Sequence, residues 1–118
     1  MYDNPLLYED TVLHRLLSLL IHKNDPGSAW LYISDHGEDV LHHNDFSGHN
    51  AAVKEMWEVP MIFWHGKDIT VPSTDKALIA TRPFQADVID HALLGLMGIT
   101  CYYYDPGLDI FSDRFDQG

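Results

Sequence analysis

The chain has 118 residues, 46% of them hydrophobic and 21% charged, which suits one folded domain with a modest core and argues against a disordered tail. Eighteen acidic residues against seven basic ones give a formal charge of −11, so a phosphate backbone is repelled and nucleic acid is not expected as a partner. The lone cysteine, Cys101, cannot close an intrachain disulfide and reads by default as a small buried residue. The sequence shows neither a secretory leader nor the run of ~18 apolar residues that a membrane span needs.

Residues 5–22 predict an amphipathic helix, with Leu6, Leu13, Leu16, Leu17 and Leu20 at helical spacing. Asn4 reads as its N-cap, Pro5 as its first residue and Lys23 as a cation in the last turn. Asn24-Asp25-Pro26-Gly27 stops it. A strand follows over 29–34, then a long loop from Asp35 to Glu58 with a short helix expected at 50–57. A second strand is expected over 59–64, and Pro72-Ser73-Thr74 is expected to cap a turn or short helix near Asp75. A second helix is predicted over 84–97, with Val88, Ala92, Leu93 and Leu96 in one stripe and Gly98 at its C′ position. A third strand is expected over 99–104 before Asp105-Pro106-Gly107 turns the chain. Trp30, Trp57, Trp64 and Tyr102, Tyr103 and Tyr104 read as core or half-buried strand residues. This alternation predicts an α/β layer fold.

Chemistry concentrates where the first strand ends, at Asp35-His36-Gly37-Glu38. Half of the eight histidines lie between His36 and His49. In open α/β sheets, ligands bind beyond the carboxyl ends of strands. An Asp followed directly by a His offers two ligands of different character, each reaching zinc at ~2.0–2.2 Å. Gly37 allows a sharp bend after them, and Glu38 is positioned to orient the His36 ring. Carboxylates beside clustered imidazoles suit zinc or manganese. His42, His43, Asp45 and His49 are further candidates, against which stands the reading of a solvated polar loop, because their spacing matches no zinc pattern. His14 and His22 read as surface residues, His91 as a core or helix-surface residue, and His65 as a turn residue or one facing the same site. Gly-rich phosphate loops, Gly-x-Ser-x-Gly elbows and Cys-x-x-Cys pairs are absent from the sequence.

Ser34-Asp35-His36-Gly37-Glu38 resembles the Ser-Asp-His-Gly-Glu motif of the phosphoethanolamine transferases, a membrane-anchored branch of the sulfatase and alkaline phosphatase superfamily. Tyr2-Asp3-Asn4 with Leu7, Tyr8 and Asp10 resembles the segment that opens the helix before that motif. Val59-Pro60-Met61 is similar to a following strand of the family. Leu93-Leu94-Gly95-Leu96, with Tyr104-Asp105-Pro106-Gly107-Leu108-Asp109, is similar to its last helix and closing segment. The matches run in order along nearly the whole chain.

The resemblance implies a partial sulfatase-like α/β/α sandwich, with residues 1–118 as the C-terminal segment of an incomplete catalytic domain. It implies a zinc enzyme, or one using manganese or another divalent cation, that moves phosphoethanolamine from a phospholipid donor to lipid A or a core sugar of lipopolysaccharide. The parent enzyme would act at the periplasmic face of the bacterial inner membrane. Asp35 and His36 fall on metal ligands of the family, and His49 on a histidine that contacts the phosphoryl group or a second metal. Leu41-His42-His43-Asn44 departs from the family pattern. The threonine nucleophile, a partner carboxylate ligand and the membrane helices belong to an upstream segment, so the isolated chain is expected to bind zinc weakly and to be inactive. Its expected partner is that upstream part, or a second copy. Rival readings are a non-catalytic interaction module, a fragment of another sulfatase-family hydrolase, or a small metal hydrolase using His36, His43 and His49.

Overall fold

Leucines at helical spacing build α1, Asp3–Lys23, one residue longer at its C-terminal end than the sequence pattern and two longer at its start. Asn4 and Pro5 therefore lie inside the first turn, and Asn4 is not the cap. Pro5 is tolerated because first-turn N–H groups have no acceptor within the helix. The helix ends at Asn24, which takes the left-handed region at φ 51°. Leu13, Leu17 and Leu20 are half-buried, whereas Leu6 and Leu16 of the expected stripe are each 47% exposed. The computed structural model describes residues 3–40, 47–48, 54–73 and 75–116.

The chain divides into two compact units, residues 1–68 and 69–118. In the first, α1 is followed by β1, Ala29–Ile33, and by the two-residue strands β2, Asp39–Val40, and β3, Ser47–Gly48, which pair antiparallel. A 3₁₀ turn at Lys54–Met56 occupies part of the helix expected over 50–57, of which residues 50–53 lie outside the described set. β4, Met61–His65, pairs antiparallel with β1, Leu31 standing opposite Phe63. It begins two residues later than expected because Pro60 has no N–H to give to a ladder. The Tyr32 hydroxyl donates to Glu9 Oε1 at 2.5 Å and ties β1 to α1. Trp57 is 71% exposed and is not a core residue.

In the second unit α2, Lys76–Thr81, is capped by the Asp75 carboxylate, which accepts from the Leu78 N–H at 3.0 Å. The helix expected over 84–97 is shorter: a 3₁₀ turn, Ala86–Val88, leads into α3, Ile89–Leu96. Gln85, extended at φ −100° and ψ 130°, is the N-cap from which the 3₁₀ turn starts. Gly98 at φ 65° closes α3 as the sequence predicts, its N–H reaching Gly95 O at 3.1 Å while Ile99 N–H reaches Leu94 O at 2.9 Å.

The third strand does not form. Residues 99–104 are loop and turn, with Tyr104 N–H bonded to Cys101 O at 3.2 Å. Tyr102 and Tyr103 are exposed, and Cys101 is exposed where a buried residue was expected. The interior of this unit is built instead from Ala92, Ile110 and Phe111, with Ser73, His91, Asp109 and Ser112 buried among them.

Candidate functional site

After Ile33 one further bond crosses to the partner segment, Ser34 N–H to Pro60 O at 3.5 Å, and the chain then turns on local bonds. Ser34 Oγ donates to His36 O at 2.8 Å, and His36 N–H donates to Asp35 Oδ1 at 3.0 Å. Such local bonds compete with a ladder and turn the chain. Gly37 N–H then donates to Met56 O at 2.9 Å. A Cβ on Gly37 would fall 1.8 Å from Glu55 O, so the glycine is needed for space against the 54–56 turn. Its φ is not positive, and the bend expected of it is not its role.

This loop sets Asp35 and His36 side by side, with Asp35 Oδ2 and His36 Nε2 3.8 Å apart. The Asp35 side chain is 89% exposed and that of His36 43%. His36 Nδ1 lies 2.8 Å from Gly37 O. A carbonyl only accepts, so Nδ1 carries the proton and Nε2 has the lone pair a metal ligand needs. The ring is therefore oriented by the Gly37 carbonyl and not by Glu38, which was expected to do so.

The spacing of the pair lets both atoms reach one divalent cation. Two ligands each about 2.1 Å from one ion lie no more than about 4.2 Å apart, and the Asp35–His36 separation is inside that limit. Among the described residues no group of three His, Cys, Asp or Glu side chains converges to hold an ion. His42, His43, Asp45 and His49 lie outside the described residues.

His65 does not face this pair. The antiparallel register sets it opposite Ala29, at the far end of β1 from Asp35, and its Nδ1 donates to Gly66 O at 2.9 Å. His14 and His22 are exposed on α1, as expected. His91 is buried, accepts from the Asp105 N–H at 3.0 Å through Nδ1, and stacks on Tyr103 with ring centroids 4.9 Å apart.

The sequence reading missed a buried polar cluster in residues 69–118. The Asp109 carboxylate is fully buried, accepts from Tyr104 Oη at 2.9 Å and from Phe111 N–H at 2.9 Å, and a Cβ on Gly95 would fall 2.0 Å from its Oδ2. Burial pushes the Asp109 carboxyl up, and the two donated bonds pull it partly back. Tyr104 is pushed up to about 12, first by burial and then by its bond to Asp109. Beside it Arg82 donates to the carbonyls of Ile110 and Ser112 and stacks over Phe115, 5.2 Å from the ring centroid. Tyr104 and Asp109 stood together in the closing segment that resembles the family, and an acid between apolar Leu108 and Ile110 was a further signal.

Comparison with known proteins identifies the family and the fold. The Sulfatase family model matches residues 1–99. The phosphoethanolamine transferase EptA of Salmonella typhimurium is 31% identical over 92% of this chain and 22% of its own length. EptA of Helicobacter pylori is 31% identical over 96% of the chain and 22% of its length. The phosphatidylethanolamine transferase Mcr-1 of Escherichia coli is 38% identical over 84% of the chain and 18% of its length. The chain thus spans about a fifth of the length of these relatives. The crystal structure of the C-terminal periplasmic domain of EptC from Escherichia coli superposes with a TM-score of 0.87 at 26% identity, over 99% of this chain and 34% of that one. The fold is therefore the C-terminal part of a sulfatase-like α/β domain, as the motifs implied. No helix among the described residues is long and apolar enough to cross a membrane. The chain belongs to the sulfatase family, and the relatives it matches are phosphoethanolamine transferases.

Proposed function

We propose that residues 1–118 are the C-terminal segment of the catalytic domain of a metal-dependent phosphoethanolamine transferase, in which Asp35 and His36 hold a divalent cation, zinc or manganese. The observation that carries this is the pair itself: a carboxylate oxygen and an imidazole nitrogen 3.8 Å apart at the exit of a strand. It stands in a chain whose relatives are named for that reaction. When bound, zinc supplies Lewis-acid stabilisation of phosphoryl charge and lowers the pKa of a hydroxyl nucleophile.

The chain's own residues prepare that site. The Gly37 carbonyl holds His36 Nδ1–H and so keeps Nε2 as the ligand atom. Met56 O holds Gly37 and fixes the strand exit. In this reading His49 contacts the transferring phosphoryl group or a second metal. The threonine nucleophile and the remaining ligands come from other parts of the domain, which is the partner this segment requires. The donor is phosphatidylethanolamine, the acceptor is the lipid A or core sugar of lipopolysaccharide, and the enzyme works at the periplasmic face of the bacterial inner membrane. Alone, the segment binds zinc weakly and does not transfer.

Titration calorimetry with zinc tests this on the chain and on Asp35→Ala and His36→Ala. Each substitution is expected to weaken binding by at least about tenfold, since even outer partners of metal ligands are worth that much. Equal affinity in all three would overturn the assignment. Zinc-dependent phosphodiester turnover by the isolated segment would overturn its inactivity.

A further inference from the structure

The peptide unit between His36 and Gly37 is held at both ends. Its oxygen accepts from Ser34 Oγ at 2.8 Å, and its N–H, that of Gly37, donates to Met56 O at 2.9 Å. A peptide unit is planar, so bonds at its oxygen and its hydrogen together fix the tilt of the plane about the line joining the two Cα atoms. That tilt sets ψ of His36 and φ of Gly37. Both angles govern where the next carbonyl, Gly37 O, stands relative to the imidazole, and Gly37 O is the atom 2.8 Å from His36 Nδ1.

The two restraints come from different places. Met56 belongs to the 54–56 turn, whereas Ser34 directly follows β1 and its N–H reaches Pro60 O, before β4. The Ser34 hydroxyl therefore ties the His36 carbonyl to the strand pair, closing a local turn around Asp35. Within that turn Asp35 Oδ1 accepts from the His36 N–H at 3.0 Å, and Oδ2 is the oxygen 3.8 Å from His36 Nε2.

We propose that Ser34 is a positioning residue, whose hydroxyl presets the Asp35–His36 pair for a cation without touching the ion. This rests on the reading of the pair as metal ligands. Without the hydroxyl the 36–37 peptide plane loses one of its two restraints and tilts. Gly37 O then departs from Nδ1 part of the time, and the ring proton passes to Nε2, the atom that must be unprotonated to bind. Only the remaining fraction of the chain is competent, and apparent affinity falls by that fraction. The Ser34–His36 bond lies at the surface, where water replaces it at little cost to folding, so its loss falls on ion binding.

Two measurements on the full chain test the proposal: titration calorimetry with zinc, and ring-nitrogen NMR of His36 in the metal-free chain at a pH where the imidazole is neutral. Ser34→Ala is expected to weaken zinc binding by about tenfold, as loss of an outer partner of a metal ligand does, and to raise the share of His36 protonated at Nε2. Ser34→Thr, which keeps the hydroxyl, is expected to restore both. Circular dichroism verifies the fold. If Ser34→Ala unfolds, Ser34→Val is set against Ser34→Thr, the two being alike in size and different in the hydroxyl. Parent zinc affinity in the variant without the hydroxyl would overturn the proposal, and so would an unchanged ring tautomer, which marks a merely structural role. When His36→Ala binds zinc weakly, either result counts against Ser34 alone. Failure of the metal reading shows differently, as equal affinity in the parent and His36→Ala, and removes the role of Ser34 with it.

Discussion

Among the described residues, the two halves of the chain close themselves by different means. Residues 69–118 contain seven of the eight buried non-glycine residues, and four of those seven are polar. Residues 1–68 contain one, Met56, and keep their Asp–His pair in the open. A buried carboxylate is costly unless it is hydrogen-bonded, so Asp109 commits its surroundings to one arrangement. An exposed carboxylate makes no such demand, and Asp35 is left able to meet an ion. One half ties its polar groups into buried hydrogen bonds, and the other keeps an Asp–His pair exposed.

Asp109→Ala tests the first statement most severely. It strands the Tyr104 hydroxyl and the Phe111 N–H, and is expected to lower unfolding free energy by about 2–4 kcal/mol in urea, two donors losing their acceptor. Hydrogen exchange should localise the loss to residues 89–116, and zinc affinity should not change. If affinity falls with stability, the division of roles is wrong.

Gly37→Ala tests the second. The added methyl meets the Glu55 carbonyl, so the loop must shift and the Gly37–Met56 bond must lengthen. A stability loss of about 1–3 kcal/mol is expected, together with weaker zinc binding by calorimetry. A destabilised variant with full zinc affinity would show that the loop does not position Asp35 and His36.

A pH titration of stability gives a smaller effect. The folded-state pKa of Tyr104 is about 12 against an ordinary 10.0, so the folded chain holds this proton more tightly than the unfolded chain. The stabilisation is complete below pH 10 and is lost as pH rises toward about 12. Tyr104→Phe should remove that alkaline slope in urea melts recorded across the window. Asp109 follows the same sign at acid pH: its carboxyl is raised, so ionising it costs stability as pH climbs above 3.8 toward its folded value. His65→Ala completes the series with no expected change in zinc affinity, because the register puts it at the opposite end of β1.

What could be read from sequence follows from how local each signal is. α1, β1 and the Gly98 stop depend on near neighbours, and their periodicity and stop residues reveal them. The 3₁₀ start of α3, from an extended N-cap at Gln85, was overlooked. The strand expected over 99–104 is an instructive error. Its apolar and aromatic residues form a turn that delivers Tyr104 to Asp109, and only a contact made in three dimensions explains them. The same is true of the site. Asp35 and His36 were legible as neighbours in a motif, whereas the placement of His65 depended on its pairing with Ala29, 36 residues earlier. Gly37 was noticed for its flexibility, but the constraint comes from the backbone of Glu55.

Arg82 has a consequence for the order in which the protein is made. Its guanidinium holds the carbonyls of Ile110 and Ser112, 28 and 30 residues later in the chain. Synthesis therefore produces the arginine long before its acceptors. Until those residues leave the ribosome the guanidinium stays hydrated, and Ala92 lacks the Ile110 and Phe111 side chains that complete the interior with it. A nascent chain paused before Ile110 thus lacks these acceptors and two of its buried apolar side chains, and presents a half-built surface to chaperones and proteases.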